Sequence, residues 1–293
     1  MINSQSKEGS GRKLFYGLFV FPLLIAVGMA ILLCTVVLLT RESETPESLI
    51  TAIKTGSPSK RWQKAFELSN ELNQGRGLIR QSGVMKEVIH ILNDRRQYDA
   101  KTRSYMAIAL ARFEEPEAVA ALRAALSAEE EPAAQIYLIW ALGIKRAKEA
   151  VNQILPFLKS PEEDLKKMAA YVSGTLGDKK AVGALEALLG DSSRDVRWNA
   201  ALSLARLGSG SGYGELLKML DRRTLASYHG LPEEKVEEIM VNAIKGVTLL
   251  NRTESRPLLA RLSNEDKSLK VRQAAIQALE YQKQFREPSA PNE

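Results

Sequence analysis

The sequence predicts an all-α protein, with one transmembrane helix leading into an α-solenoid of about seven helical hairpins. Three observations carry this expectation. Residues 14–40 hold no charged side chain, and beyond them a 14-residue segment recurs at an offset of 31. Aromatic residues make up only 6% of the chain while Ala and Leu abound, which favours helix over sheet. The rest of the composition is ordinary, at 45% hydrophobic and 26% charged, but it excludes some chemistry. One Cys makes no intramolecular disulfide, and one Cys with two His cannot cage zinc without several carboxylates. No metal or cofactor is expected.

From Leu14 to Thr40 the chain reads LFYGLFVFPLLIAVGMAILLCTVVLLT. As a helix this run would span roughly 40 Å, more than the roughly 30 Å of hydrocarbon in a bilayer. A cleaved signal peptide would turn polar after its small-residue site, yet Ile31 to Leu39, beyond Gly28-Met29-Ala30, stays apolar. Lipidation at Cys34 would want a small residue before it, where Leu33 stands. Lys7, Arg12 and Lys13 precede the span and Arg41 follows it, with the next base at Lys54. By the positive-inside rule this leans towards a cytoplasmic N-terminus and an exported C-terminal domain, in the inner membrane of a bacterium. Pro22 is tolerable within the span because neighbouring groups can take up the freed carbonyl.

The repeat is clearest between Asp164–Gly177 and Asp195–Gly208. Asp164 matches Asp195, Lys166 matches Arg197, Ala169 and Ala170 match Ala200 and Ala201, and Leu176-Gly177 match Leu207-Gly208. Val196, Ala200, Leu204 and Leu207 lie on one helical face, and Gly208 suits a C-cap where φ is positive. A second helix follows, with Val182, Leu185, Leu188 and Leu189 as its stripe. Neither helix can bury its stripe alone, so neighbouring hairpins must stack. This phase puts first helices over 59–72, 101–113, 131–142, 164–176, 195–207, 235–250 and 268–282. Second helices fall over 83–93, 116–127, 147–159, 180–189, 213–220 and 255–263. Pro58, Pro116, Pro132, Pro161 and Pro232 sit at or just before predicted starts, where a missing N–H costs little. The chain thus divides into an N-terminal tail (1–13), a span (14–40), a linker (41–57), a solenoid (58–282) and a disordered tail (283–293).

The string Asp195-Val196-Arg197, Ala200-Ala201, Leu204, Leu207-Gly208 resembles the HEAT-repeat superfamily, in its short bacterial form of the phycobilisome-lyase type. Val271-Arg272 with Ala275, and Thr102-Arg103 with Ala107, are partial copies. The resemblance implies a right-handed solenoid that serves as a protein-binding scaffold. It also implies that the recurrent bases Arg103, Lys166, Arg197 and Arg272 pair with acids at hairpin turns, Asp191 or Asp195 among them. The alternative, a ladder for an acidic ligand, is the weaker reading.

No half of the chain is markedly basic, with 18 bases and 15 acids over 41–160 and 20 and 19 over 161–293. A nucleic-acid face is therefore not expected. The insertion around Asp221–Pro232 makes Arg222, Arg223, Tyr228 and His229 the best local guess for a partner-binding loop, since long loops carry recognition. Trp198, two positions from Val196, is a candidate exposed contact, whereas Trp140 is expected to pack between repeats. Gly208–Gly214 reads as a flexible hairpin turn, because it follows a helix and lacks the Lys-Ser/Thr of a phosphate loop. No nucleophile, base or metal set converges, so the expectation is a non-catalytic scaffold that binds membrane-associated protein on the concave face of its second helices. A lyase-like enzyme or enzyme subunit is the alternative, and a nucleic-acid-binding solenoid comes after it. No small-molecule substrate is expected.

Overall fold

The computed structural model describes residues 15–39, 45–74, 82–228 and 230–284. The expected N-terminal tail, His229 and residues 285–293 of the expected C-terminal tail lie outside the described residues. The chain divides into two compact units, Met1–Thr45 and Pro46–Glu293.

The first unit holds a π turn, Tyr16–Val20, continued by α1 (Phe21–Leu39). Pro22 explains the π turn: it has no N–H for the Leu18 carbonyl, and its ring would strike that carbonyl in a regular α turn. Widening the preceding turn relieves both. Thr35 donates its hydroxyl back to the Ile31 carbonyl at 2.7 Å, so it leaves no unpaired O–H on this apolar helix. The stretch Gly17–Val36 is long and apolar enough to cross a membrane, with a mean hydropathy of 2.7, and none of it is buried.

The second unit is an α-solenoid, and no strand occurs among its described residues. An inner layer consists of α3 (Pro58–Asn73), α5 (Ala100–Leu110), α7 (Pro132–Ile144), α9 (Glu163–Leu176), α11 (Arg194–Arg206), α14 (Glu233–Leu250) and α16 (Leu269–Gln284). These are the predicted first helices. An outer layer consists of α2 (Pro46–Thr55), α4 (Ser82–Asn93), α6 (Pro116–Ala128), α8 (Val151–Ile154), α10 (Val182–Ala187), α12 (Tyr213–Met219) and α15 (Arg256–Glu265). Short 3-10 turns extend α8 and α10 at both ends, and α13 (Arg222–Ala226) stands in the insertion.

Two expectations need correction here. Residues 46–55 are helix α2, not linker, because Leu49, Ile50 and Ile53 form an apolar stripe that packs on α3. Hence each hairpin runs from an outer helix through the turn into an inner helix, and seven such pairs are complete. Residues 283 and 284 belong to α16 rather than to a tail.

Successive inner helices pack on one another, and small residues set how closely. Ala107, Ala141, Ala170, Ala200 and Ala201 are all fully buried. The tightest approach is at Gly174, where an added Cβ would lie 2.7 Å from the Ser203 Cα and 2.5 Å from its Cβ. The core is continuous from Leu49 to Leu207, and a second cluster runs from Trp198 to Ala278. Helix α11 serves both. The Val196, Ala200, Leu204 and Leu207 stripe faces the first cluster, and Trp198, Ala201 and Ala205 face the second.

The caps follow the sequence. Gly177 and Gly208 adopt positive φ of 74° and 77° at the ends of α9 and α11. Pro58, Pro116 and Pro132 occupy first-turn positions. The expected flexible turn at Gly208–Gly214 is instead mostly ordered helix, with Gly210–Gly212 a 3-10 turn leading into α12. Gly212 is there because its Cα lies against the Ala201 backbone, where a Cβ would come within 2.7 Å of Cα.

Gly174→Ala tests the inner-layer spacing. Helix propensity favours Ala by about 1 kcal/mol, but overpacking against backbone costs about 1–3 kcal/mol, so a net loss of stability is expected in thermal melts of the detergent-purified chain. Ser203→Ala, which removes a buried hydroxyl that has no hydrogen-bond partner among the described residues, should be neutral or mildly stabilising.

A charge-clamped stack and its inner groove

The recurrent bases lie along the turn edge of the stack. The arginines among them, with Arg61, reach back to the turn of their own hairpin. Arg61 donates to the Gly56 carbonyl, Arg103 to Tyr98, Arg197 to Asp191 and Arg272 to Asp266, at 2.6–2.9 Å. Most also reach forward to the next hairpin. Arg61 donates to the Gln97 carbonyl at 2.7 Å, and Lys166 pairs with Asp191 at 2.5 Å. Arg197 approaches Glu215 at 3.3 Å. The Arg103 guanidinium forks onto both Glu129 oxygens at 2.8–3.1 Å, and both side chains are only 5% exposed. The pairing expected at the turns is thus made by Asp191, while Asp195 lies instead beside its neighbour Arg194.

The insertion serves the same edge. Arg222 forks onto buried Asp266 at 2.7 and 2.8 Å and also meets Glu233 at 2.6 Å. Tyr228 is half-buried, edge-to-face with Trp198 at 5.9 Å, and Arg194 lies over both rings. Of the expected recognition residues, then, Arg222 and Tyr228 are engaged internally, Arg223 is exposed, and His229 lies outside the described residues. Trp198 is no exposed contact: at 7% exposure it sits in the second core cluster, under that loop. Trp140, expected between repeats, is 40% exposed.

The inner layer also carries open surface. A groove of about 590 Å³ crosses the inner layer from Ile136 on α7, past Met168 and Tyr171 on α9 and Leu202 on α11, to Ile239 on α14. A second stretch of about 500 Å³ continues from Leu202 over α14 to Tyr281 on α16. Towards α3 the same layer carries an edge-to-face aromatic ribbon, with Phe66 on Tyr105 at 5.3 Å, Tyr105 on Tyr137 at 5.8 Å and Tyr137 on Trp140 at 6.1 Å. The groove therefore lies on the first helices, not on the second helices expected to form the binding face. The sequence signal was available: in the α9 and α11 repeat, Tyr171 and Leu202 hold one register position on the side away from the buried stripe.

Comparison with known proteins fits this geometry. A family model for HEAT repeats matches residues 151–226, and one for the PBS lyase HEAT-like repeat matches residues 102–128. Residues 102–128 and 151–226 are thus HEAT-like repeats within this stack. Its HEAT stack is similar in fold to the complex of CpcE and CpcF of phycocyanin lyase from Nostoc sp. PCC7120, at 16% identity and a TM-score of 0.57, covering 82% of this chain and 88% of that one. A designed armadillo repeat protein aligns at 17% identity and a TM-score of 0.41, over 81% of this chain and 99% of its own. No curated protein matches the sequence.

Two measurements test the clamps of this HEAT stack. Glu129→Ala leaves Arg103 buried without its carboxylate and should cost about 3–5 kcal/mol, read from chemical or thermal unfolding. Asp266 is the second test. Burial raises its pKa, but Arg222 and the Ser268 amide outweigh that and hold it below the ordinary carboxylate value. A carboxyl with a lowered folded pKa stabilises above its unfolded pKa, about 3.9, and loses that contribution as pH falls through the folded value. Asp266→Asn should therefore melt below wild type at pH 7, and the gap should close below about pH 4.

Proposed function

We propose that the chain is a bilayer-anchored HEAT-repeat scaffold, without chemistry of its own, that holds a protein partner in its inner groove at the membrane surface. The observation that carries this reading is the open strip of the inner layer. Phe66, Trp140 and Tyr171 are each at least 40% exposed on a stack whose other large apolar side chains are mostly buried. Exposed aromatics grouped along one strip are the usual anchors of a protein interface. The anchor is supported by an apolar helix with no face buried against protein, for which lipid is the natural solvent. Tethering then concentrates the groove around partners in the same bilayer. The excess of bases before the span supports a cytoplasmic N-terminus and an exported HEAT domain.

A photo-crosslinking amino acid at Trp140 or Tyr171 of the full chain in cells should give a discrete protein adduct, and one at Ala124, exposed on outer helix α6, should not. The adduct should also vanish when Tyr137 is changed to Ala. Equal adducts from both faces, or none from the groove, would sink the reading. Protease added to intact spheroplasts should digest the HEAT domain if it is exported. A second reading, a lyase-like enzyme or enzyme subunit, draws on the PBS lyase HEAT-like repeat at 102–128 and on the fold shared with a phycocyanin lyase complex. Bound tetrapyrrole absorbance after co-expression with phycobilin synthesis would favour it over the scaffold.

A further inference from the structure

We infer that the α11–α14–α16 end of the groove is a subsite for an acidic stretch of an extended peptide, an inference that rests on the scaffold reading above. Charge distinguishes this end from the rest. In the stretch from α9 to α14 every lining cation has an acid on its own helix: Lys167 with Asp164 at 2.7 Å, Arg194 with Asp195 at 3.4 Å and Lys235 with Glu238 at 2.8 Å. The terminal stretch is lined by Arg206 and Lys245 and by no carboxylate, and neither cation has an ion-pair partner among the described residues. Arg206 rests over the Tyr171 ring at 5.0 Å, a contact that orients the guanidinium and leaves its charge unneutralised.

Between these two cations lie apolar walls, Leu202 from α11, Leu249 at 55% exposure from α14 and Tyr281 at 42% from α16, with the Gln277 amide among them. Two uncompensated cations over an apolar floor recognise a carboxylate carried beside an apolar side chain. The continuity of the groove indicates that this carboxylate belongs to a chain. Leu202 and Asn242 line both stretches, so one occupant can run through them without a break. Five inner helices, α7 to α16, spaced 8–10 Å apart, make a track of roughly 40 Å, which takes about 12 residues of extended peptide at about 3.3 Å each. The occupant is thereby given a polarity. Its acidic residues lie over Arg206 and Lys245, and its apolar residues lie towards Ile136 and Met168.

The test is selection of a random 12-residue peptide library on phage against the full chain in phosphatidylcholine nanodiscs. Wild type should enrich peptides with Asp or Glu clustered towards one end and apolar residues towards the other. A fluorescent copy of the best peptide should bind at least ~10-fold more weakly to the Arg206→Glu, Lys245→Glu double variant, whose two positions are exposed and whose melt should match wild type. That variant should in turn select peptides with Lys or Arg in place of the acids. Selection without acidic enrichment, or equal binding by the double variant, overturns the subsite. So does the outcome in which phosphatidylglycerol vesicles, rather than peptides, bind wild type and are lost on charge reversal. If groove crosslinks persist while acidic peptides fail, the scaffold stands and the subsite falls. If the crosslinks fail as well, both fall.

Discussion

The distance at which successive inner helices pack is the constraint on which the repeat unit depends. A helix with an apolar stripe gains little until a neighbour covers it, and here the cover comes from the next copy of the same helix. Ala at the middle of each stripe and Gly at the tightest crossing let the backbones approach, as at Gly174 against Ser203. Large side chains are then left two places to go. They fill the space between the inner and outer layers, as Leu138, Leu204 and Leu259 do, or they stand on the open side of the inner layer, as Tyr171 and Trp140 do. The groove is in that sense a by-product of close stacking, and its aromatic lining is what the close-packed stripe has no room for.

Apolar stacking is non-directional, so something must fix the angle of one hairpin on the next. The clamp residues supply it. A guanidinium that donates backwards to its own turn carbonyl and forwards to the next turn's acid, as Arg103 does between Tyr98 and Glu129, joins two hairpins with fixed geometry. The cost of burying that pair is considerable, and replacement by apolar residues of similar volume is often no worse for stability. Its contribution is to orientation as much as to energy. The insertion at 221–232 shows the same requirement met by different residues: where α12 and α14 are separated by α13, Arg222 comes from the extra helix to reach Asp266, and Tyr228 closes over Trp198.

The sequence revealed the repeat because it is periodic, and periodicity survives divergence better than any single residue. The Asp195–Gly208 string, the prolines at helix starts and the glycine caps located six of the seven outer helices and all seven inner ones. Helix α2 escaped because Pro46–Thr55 precedes the first copy of the inner-helix motif, leaving no ruler with which to phase it. The candidate site was less legible. Loop length drew attention to Arg222 and Tyr228, but a long connection in a stack serves packing whenever its side chains reach a core, and these reach Asp266 and Trp198. Trp198 and Trp140 exchanged their expected places for a related reason. Whether a Trp two or three positions off the stripe is covered depends on what the neighbouring hairpin offers, and α11 has an insertion above it.

The same asymmetry bears on which surface can recognise anything. On the outer layer and the turn edge, some charges close on one another between hairpins, as Lys54 does with Glu87 and Lys166 with Asp191. A surface whose charges are already matched to each other has little electrostatic preference left for a partner. Along the inner groove Lys167, Arg194 and Lys235 are paired on their own helices, whereas at its terminal end Arg206 of α11 and Lys245 of α14 line the same stretch as the exposed Leu249. Stacking demands that stripes and turns be satisfied internally, and it makes no demand on the open face of the inner helices. That face is where the chain is free to differ from repeat to repeat, and the two cations at its terminal end, unpaired among the described residues, give an otherwise repetitive groove a direction.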